Sequence, residues 1–579
     1  MRLLKAILAC AAVIEPAATE APPSATDTAN QISYQGIHVS GVEAFLGVPY
    51  GQDTGGAHRF KPPRMTAPRC GSKIMATKYG PACPQAKTPE AGPLPFSLTP
   101  VTNISEDCLS LNVVRPKGTT ASHKLPVMFF IHGGSYQYGQ AAEVTIRPHG
   151  LVSQSVANGM PVLHVGINYR LGVFGFAKSE ALRGQKSENA ALRDQMLAME
   201  WVQKNIAYFG GDPENVTIFG QSSGGVSCGM HLLAFGGANK PLFHKAICES
   251  QVLEGGITRN LTETAMMNVL NEVGCNKSDS QSQQTIDCLR SVDMQTLTDA
   301  FVKTNPEDLA HNFGDLWLPT VDGDILPDAP SKLVAQHRFR KGVDVMMGWT
   351  DNEFGFVIDS DMKTDADTRG TIAAVYADLT SANLDKLLAL YPVSDFHDDP
   401  ANNLTAQAFR TGRIIRDVFF VCQPLLFGKE LANVGSSVHL YHWNQTLLSG
   451  LLKEGWNITG RGVIHESEFA YIFGNFSNYD YKGTSLPATA SDDRLRIQAS
   501  RTWSTFANTG QPGLKGLDTF QGFQTAFNCR DISLFVAGGP HQGFTPIDGP
   551  KALPQIKEQR LRERCAFINS PEMITQLGY

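Results

Sequence analysis

Apolar residues along the chain gather in short unbroken runs bounded by turn residues: "VMFFIHGG" (127–134), "VLHVGINYR" (162–170), "VTIFG" (216–220), "KAICES" (245–250), "VDVMMGWT" (343–350) and "SVHLYHW" (437–443). Runs of this length without polar alternation predict strands buried on both faces, as in a mostly parallel sheet. Helical patterns lie between several of them. The clearest covers 188–209, where Leu192, Met196, Met199, Val202 and Ile206 recur at helical spacing and "GGD" closes the run. Strand, helix, strand alternation predicts an α/β architecture, a central mostly parallel twisted sheet flanked by helices. Segments 255–340 and 355–435 lack that rhythm, so we expect insertions of helix and loop over the carboxyl edge of the sheet. There is no internal repeat and no linker rich in Pro, Gly or Ser. A single domain over 30–579 is therefore expected, although 579 residues would also accommodate two.

Composition narrows the class of partner. With 42% hydrophobic and 18% charged residues the chain is globular, and nothing suggests disorder or fibre. The net charge of −6 is small for this length and there is no long basic run. A nucleic acid or an anionic membrane therefore has no electrostatic support, and a small molecule is the expected partner.

The start, "MRLLKAILACAAVIEPAATEAPP", sets Arg2 and Lys5 before a short apolar stretch and then small residues. That reads as a secretory signal over about 1–20, with the mature chain beginning between Ala17 and Ser24. The competing reading is a disordered tail on a cytosolic protein. Asn-x-Ser/Thr acceptors at Asn103, Asn215, Asn260, Asn276, Asn403, Asn444, Asn457 and Asn475 favour the secretory pathway. So do 11 cysteines without a CxxC spacing, which suit disulfides better than a zinc site. No other segment approaches the ~20 apolar residues of a membrane span, and "PEMITQLGY" lacks the hydrophobic tail of a lipid-anchor signal. We expect a soluble secreted protein with no integral membrane segment.

Candidate chemistry centres on "IFGQSSGG" (218–225), where Gly220-Gln221-Ser222-Ser223-Gly224 fits G-x-S-x-G. A strand before and a helical stretch after are what a nucleophile elbow needs, and the glycines leave room for its tight turn. A serine hydroxyl becomes a useful nucleophile only when a base takes its proton and an acid orients the base. In this sheet class the order is Ser, then Asp/Glu, then His. Glu353 follows the strand at 343–350, and His465 lies on a Gly-flanked loop, so the order Ser222, Glu353, His465 is correct. Taken singly, Glu353 reads equally as a solvated loop acid and His465 as a satisfied loop histidine. Charge developing on a substrate carbonyl needs backbone N–H donors, and "IHGGSY" after a strand offers them at Gly134 and Ser135, with Ser223 across the elbow.

With these residues in hand, the chain resembles a type-B carboxylesterase of the cholinesterase and fungal lipase family, within the α/β-hydrolase fold. The likeness runs from "GVEAFLGVPYG" (41–51) to the end of the chain, through "SEDCLSLNVVRP" (105–116), "NYRLGVFGF" (168–176), "FGGDPENVTIFGQSSGG" (209–225), "FHKAICES" (243–250), "PTVDGDILPDAP" (319–330) and "WSTFANTGQP" (503–512). The resemblance implies Ser222 as nucleophile, His465 as base, Glu353 as orienting acid, and Gly134, Ser135 and Ser223 as oxyanion donors. It implies no metal or organic cofactor, and a supporting place behind the triad for Ser250 and Gln221. It also implies disulfides Cys83–Cys108, Cys275–Cys288 and Cys422–Cys565, leaving, beyond Cys10 of the leader, Cys70, Cys228, Cys248 and Cys529, of which Cys228 and Cys248 read as buried thiols.

Departures from the family pattern bear on specificity. Ser135 stands where a third glycine is usual, Gln221 where Glu is usual, and Phe354 and Glu466 where Gly is common. Glu466 next to His465 is expected to raise its pKa or tilt its ring. The loop 84–107 has one Phe and no Trp, which argues against a choline cage. That loop is also short and proline-rich for a lipase lid. The expected substrate is then a soluble small to medium ester or lactone, handled through an acyl-enzyme on Ser222. A triglyceride lipase, an acyltransferase and a non-catalytic binding or adhesion protein of the same fold are the alternatives.

Overall fold

The computed structural model describes residues 20–88, 97–305, 312, 314–356, 361–480, 485–528 and 531–579. The signal read at the start of the chain and Cys529 lie outside them.

Strands fall in chain order at β1 (Ser24–Asp27), β2 (Ile32–Gln35), β3 (Ile37–Val39), β4 (Val42–Pro49), β5 (Lys73–Met75), β6 (Ser110–Pro116), β7 (Leu125–Ile131), β8 (Leu163–Ile167), β9 (Gly211–Gln221), β10 (Lys245–Glu249), β11 (Asp344–Thr350), β12 (Val438–Trp443), β13 (Ser533–Ala537) and β14 (Gly543–Pro546). β1, β2 and β5 make a small sheet. The others form an 11-stranded sheet ordered β14-β13-β12-β11-β10-β9-β7-β8-β6-β4-β3. From β8 through β7, β9, β10, β11 and β12 to β13 every pairing is parallel, and both edges are antiparallel. The six apolar runs are β7 to β12, and β10 and β12 are buried at every position. The runs at 127–134 and 162–170 stop early as strands, because "HGG" and "NYR" turn away from the sheet to build loops at its carboxyl edge.

Helices cover the sheet: α1 (Ala190–Asn205), α2 (Ser223–Leu233), α3 (Asp365–Val375), α4 (Ala406–Arg416), α5 (Cys422–Asn433) and α6 (Ala490–Thr509) are the ones used below. α1 buries Leu192, Met199 and Val202 against the sheet, and the chain leaves it through Gly210 at φ 91°. α6 opens with a capping box between Thr489 and Asp492 and ends at Gly510 in the left-handed region. Its Trp503 is wholly buried on the side of the sheet that carries Phe130, Phe219 and Phe535. Between β10 and β11, and between β11 and β12, the described residues carry helices, turns and loops and no strand, as the missing rhythm predicts. The disulfides Cys83–Cys108, Cys275–Cys288 and Cys422–Cys565 are formed, and Cys228 and Cys248 are buried free thiols while Cys70 is an exposed one. Among the described residues no helix is long and apolar enough to cross a membrane.

Candidate active site

β9 ends at Gln221, and the chain reverses into α2 through Ser222, held at φ 58° and ψ −129°. A non-glycine residue in that region is strained and persists where its surroundings over-determine it. The constraint is visible on both sides. Ser222 N–H donates to the Glu249 carbonyl at 2.9 Å, and its carbonyl accepts from Val226 N–H at 2.9 Å. A Cβ on Gly220 would come within 2.5 Å of the Ile131 carbonyl, and one on Gly224 would strike the same oxygen. The turn therefore closes only with glycine at both positions, and the half-buried serine stands at the carboxyl edge.

Glu353 follows β11 and is fully buried. One carboxylate oxygen accepts from Thr350 N–H at 2.6 Å, and the other lies 2.5 Å from His465 Nδ1. A carboxylate held at this nitrogen fixes the imidazole tautomer that carries its proton on Nδ1 and leaves Nε2 with a lone pair. Burial opposes a charge on His465, but the Glu353 carboxylate, followed by Glu466 and Glu468, holds its pKa above the usual imidazole value. Glu466, the next residue, sits in the left-handed region at φ 67°. The remaining nitrogen, Nε2, lies 2.9 Å from the Gln221 side-chain Nε2. Among the described residues no hydrogen bond joins Ser222 Oγ to a protein group.

The oxyanion loop runs through Gly134 at φ 104° and Ser135 at φ 53°. Its shape is fixed by Gln137 and Tyr138 N–H, which donate to the Gly134 carbonyl at 2.8 and 3.1 Å, and by Tyr136 N–H, which donates to Ser223 Oγ at 3.2 Å. The N–H groups of Gly134, Ser135 and Ser223 donate to no protein acceptor among the described residues. Uncommitted donors at a helix N-terminus and an adjacent turn are what a developing oxyanion requires.

Acids that the sequence did not reveal surround this centre. Asp315 lies against the Ser135 hydroxyl and near His465, and burial lifts its carboxyl to about 6. Its neighbour Glu254 is pushed well above the carboxylate range by burial and by Asp315. Ser250 Oγ donates to Glu468 Oε1 at 3.3 Å, not to Glu353, and Trp503 Nε1 donates to Glu249 Oε1 at 2.6 Å. Burial raises Glu468 to about 8 and, with Glu468 beside it, lifts Glu249 well above its usual range. Glu249 falls in the buried run at 245–250 and Glu468 lies three residues past His465, but no sequence pattern marks Asp315 or Glu254, or brings Glu249 to Glu468.

An aromatic wall completes the site. A π-turn (Asp417–Val421) between α4 and α5 presents Phe420, whose ring centre is 5.2 Å from that of His465, and Phe356 lies 6.2 Å away. Phe354, where glycine was expected, packs 5.3 Å from Phe420 and 5.8 Å from Phe419. Of the acceptor asparagines, Asn103, Asn260, Asn276, Asn403 and Asn457 are exposed, and Asn444 and Asn475 half-buried. Asn215 is half-buried with Oδ1 engaged by Lys245 Nζ at 2.5 Å. Among the described residues no group of His, Cys, Asp and Glu is arranged to hold a metal ion.

A model of the Carboxylesterase family matches residues 30–529. A secreted lipase of Arthroderma benhamiae is 46% identical over 563 residues, covering 96% of each chain. A Byssochlamys spectabilis protein described as an inactive carboxylesterase-like protein is 34% identical over 85% of this chain and 84% of its own. Among solved structures, Aspergillus niger EstA superposes with a TM-score of 0.76 at 26% identity, over 96% of this chain and 99% of its own.

Proposed function

Because this chain belongs to the carboxylesterase family, with the α/β-hydrolase fold and ester hydrolysis that go with it, we propose that Ser222, His465 and Glu353 are its catalytic triad. Gly134, Ser135 and Ser223 then supply the oxyanion donors. Ser222 Oγ attacks the ester carbonyl while His465 Nε2 takes its proton. The tetrahedral oxyanion is held by the three N–H groups and collapses to an acyl-enzyme as His465 protonates the leaving alcohol. Water, activated by the same nitrogen, then releases the acid and restores the serine. Glu353 keeps the proton-bearing nitrogen of His465 pointed away from the serine. The observation that carries the reading is the 2.5 Å contact between Glu353 and His465 beside a strained serine and uncommitted N–H donors.

The same observation favours catalysis over a binding role, since an adhesion module needs none of these groups. The preferred substrates are soluble small to medium esters or lactones, taken against the aromatic wall beside His465. A triglyceride reading is favoured by the Arthroderma benhamiae relative, which is named a lipase. Passage of the acyl group to an alcohol instead of water would make the protein a transferase. The leader read at 1–20, the secreted relative and the three disulfides together support secretion.

Hydrolysis of p-nitrophenyl esters from acetate to palmitate, wild type beside Ser222→Ala, tests the reading. The substitution is expected to lower kcat by about 10³-fold or more, leaving only oxyanion and binding contributions. A peak at short chains fits soluble esters and a peak at palmitate the lipase. Activity that survives Ser222→Ala would remove the triad reading.

A further inference from the structure

His465 sits among carboxyl groups contributed by several elements. Glu353 comes from the turn after β11, Glu466 and Glu468 from its own loop, and Asp315 from the insertion before β11. Glu353, Glu466 and Asp315, as carboxylates, favour an imidazolium, and a base that already carries its proton cannot take one from Ser222. The groups facing the ring that carry no charge are the Phe420 and Phe356 rings and the Gln221 amide. Of these only the amide can hydrogen-bond.

The amide is placed for one particular bond. In the neutral ring with its proton on Nδ1 toward Glu353, the nitrogen facing Gln221 at 2.9 Å carries the lone pair, and the amide NH₂ is then its donor. Donation to a lone pair favours the neutral ring over the protonated one. The other end of the same amide, Oε1, is buried without a hydrogen-bond partner, and Gln221 itself is wholly buried at the end of β9. An orphaned carbonyl is a cost that an amide accepts only where its other end is well bonded. A glutamate in this place would have no N–H to give and would add a fifth carboxyl to the ring of acids.

We propose that Gln221 is a positioning residue that holds resting His465 as its neutral Nδ1–H tautomer through an N–H···Nε2 bond, and releases Nε2 to Ser222 once an ester occupies the oxyanion site. This rests on the triad reading above. No bond to carbon is made or broken in the exchange; Nε2 trades one hydrogen-bond donor, the amide, for another, the serine hydroxyl. The bond to Gln221 therefore belongs to the free enzyme and not to the loaded one.

That asymmetry supplies the test. The acid limb of kcat/KM reports the free enzyme and that of kcat the substrate complex. In Gln221→Met, which keeps the bulk and loses the donor, the kcat/KM limb should move to higher pH while the kcat limb moves less. In Gln221→Glu the kcat/KM limb should move further, by about one pH unit or more, as an added carboxylate favours the imidazolium. The pH dependence of labelling by a fluorophosphonate, which reads the free enzyme directly, should follow kcat/KM. If Gln221→Met does not fold, Gln221→Leu, which also lacks the donor and adds no charge, takes its place, and unmoved limbs in it would overturn the proposal. Unmoved limbs in a Gln221→Glu enzyme that still depends on Ser222 would overturn the proposal and leave the triad standing. Activity independent of Ser222 would remove both.

Discussion

At the scale of single residues, function rests on which hydrogen each side chain is allowed to keep. Glu353→Gln preserves the shape of the buried acid, but its amide can donate to Nδ1 and so stabilise the wrong tautomer of His465. We expect kcat to fall by about 10³–10⁴-fold with KM little changed, measured on a p-nitrophenyl ester that the wild type prefers. A loss below tenfold would show that Glu353 does not orient the ring. The meeting of Glu353 and His465 near the Ser222 turn was legible in the sequence because chain order and strand context constrain the three jointly, although each alone is an ordinary loop residue. Asp315, Glu254, Glu249 and Glu468 were not. Their significance is their burial beside one another, and although the run at 245–250 marks Glu249 as buried, nothing along the chain says which acids it meets. Gln221 was visible as a departure from the family pattern, but its bond to His465 depends on a residue 244 positions away.

At the scale of elements, the inner strands were legible because being buried on both faces writes an uninterrupted apolar run. The edges were harder. β3 and β14 span three and four residues, and their part-exposed positions carry no run long enough to recognise. The aromatic wall shows how elements cooperate: α4 breaks into the π-turn that carries Phe419 and Phe420, and α5 begins at Cys422, which is bonded to Cys565 across 143 residues of sequence. A bridge closing so long a loop restrains the unfolded chain strongly. Replacing both cysteines by serine should lower the unfolding free energy by about 2–5 kcal/mol, read from urea titration. Since the bridge anchors the segment that places Phe420 beside His465, the same variant should lose kcat/KM in the folded state. A variant with unchanged stability would mean the helices hold that segment without it.

At the scale of the whole molecule, buried titratable groups of both kinds set the pH range of the fold. Burial holds the pKa of His132, His149 and His439 near about 4 and of His164 and His231 near about 3. The unfolded chain, with histidine near ~6.5, binds those protons first, so stability falls as pH drops from 6.5 toward those values. Glu468 is raised to about 8, with Glu249 and Glu254 also raised by burial. The native state therefore keeps carboxyl protons that the unfolded chain gives up near ~4.3, and stability falls as pH rises toward 8. The two trends oppose each other up to pH 6.5, and above it the carboxyl trend continues. The melting temperature should thus decline between pH 6.5 and 8.5, and Glu468→Gln should flatten that decline. A melting temperature that climbs over the same range would contradict this account.

The parallel order of the sheet has one more consequence. Ser222 and the acid–base pair are delivered by strands far apart in the chain, with Glu353 and His465 separated by 112 residues and β10 standing between β9 and β11. No fragment that ends before β12 can assemble them. Contacts of such sequence separation form slowly, because the loops that join them must close first. Recovery of ester turnover after dilution from denaturant is therefore a clock for the last long-range pairing of the sheet, and lags behind signals that report helix or local collapse alone.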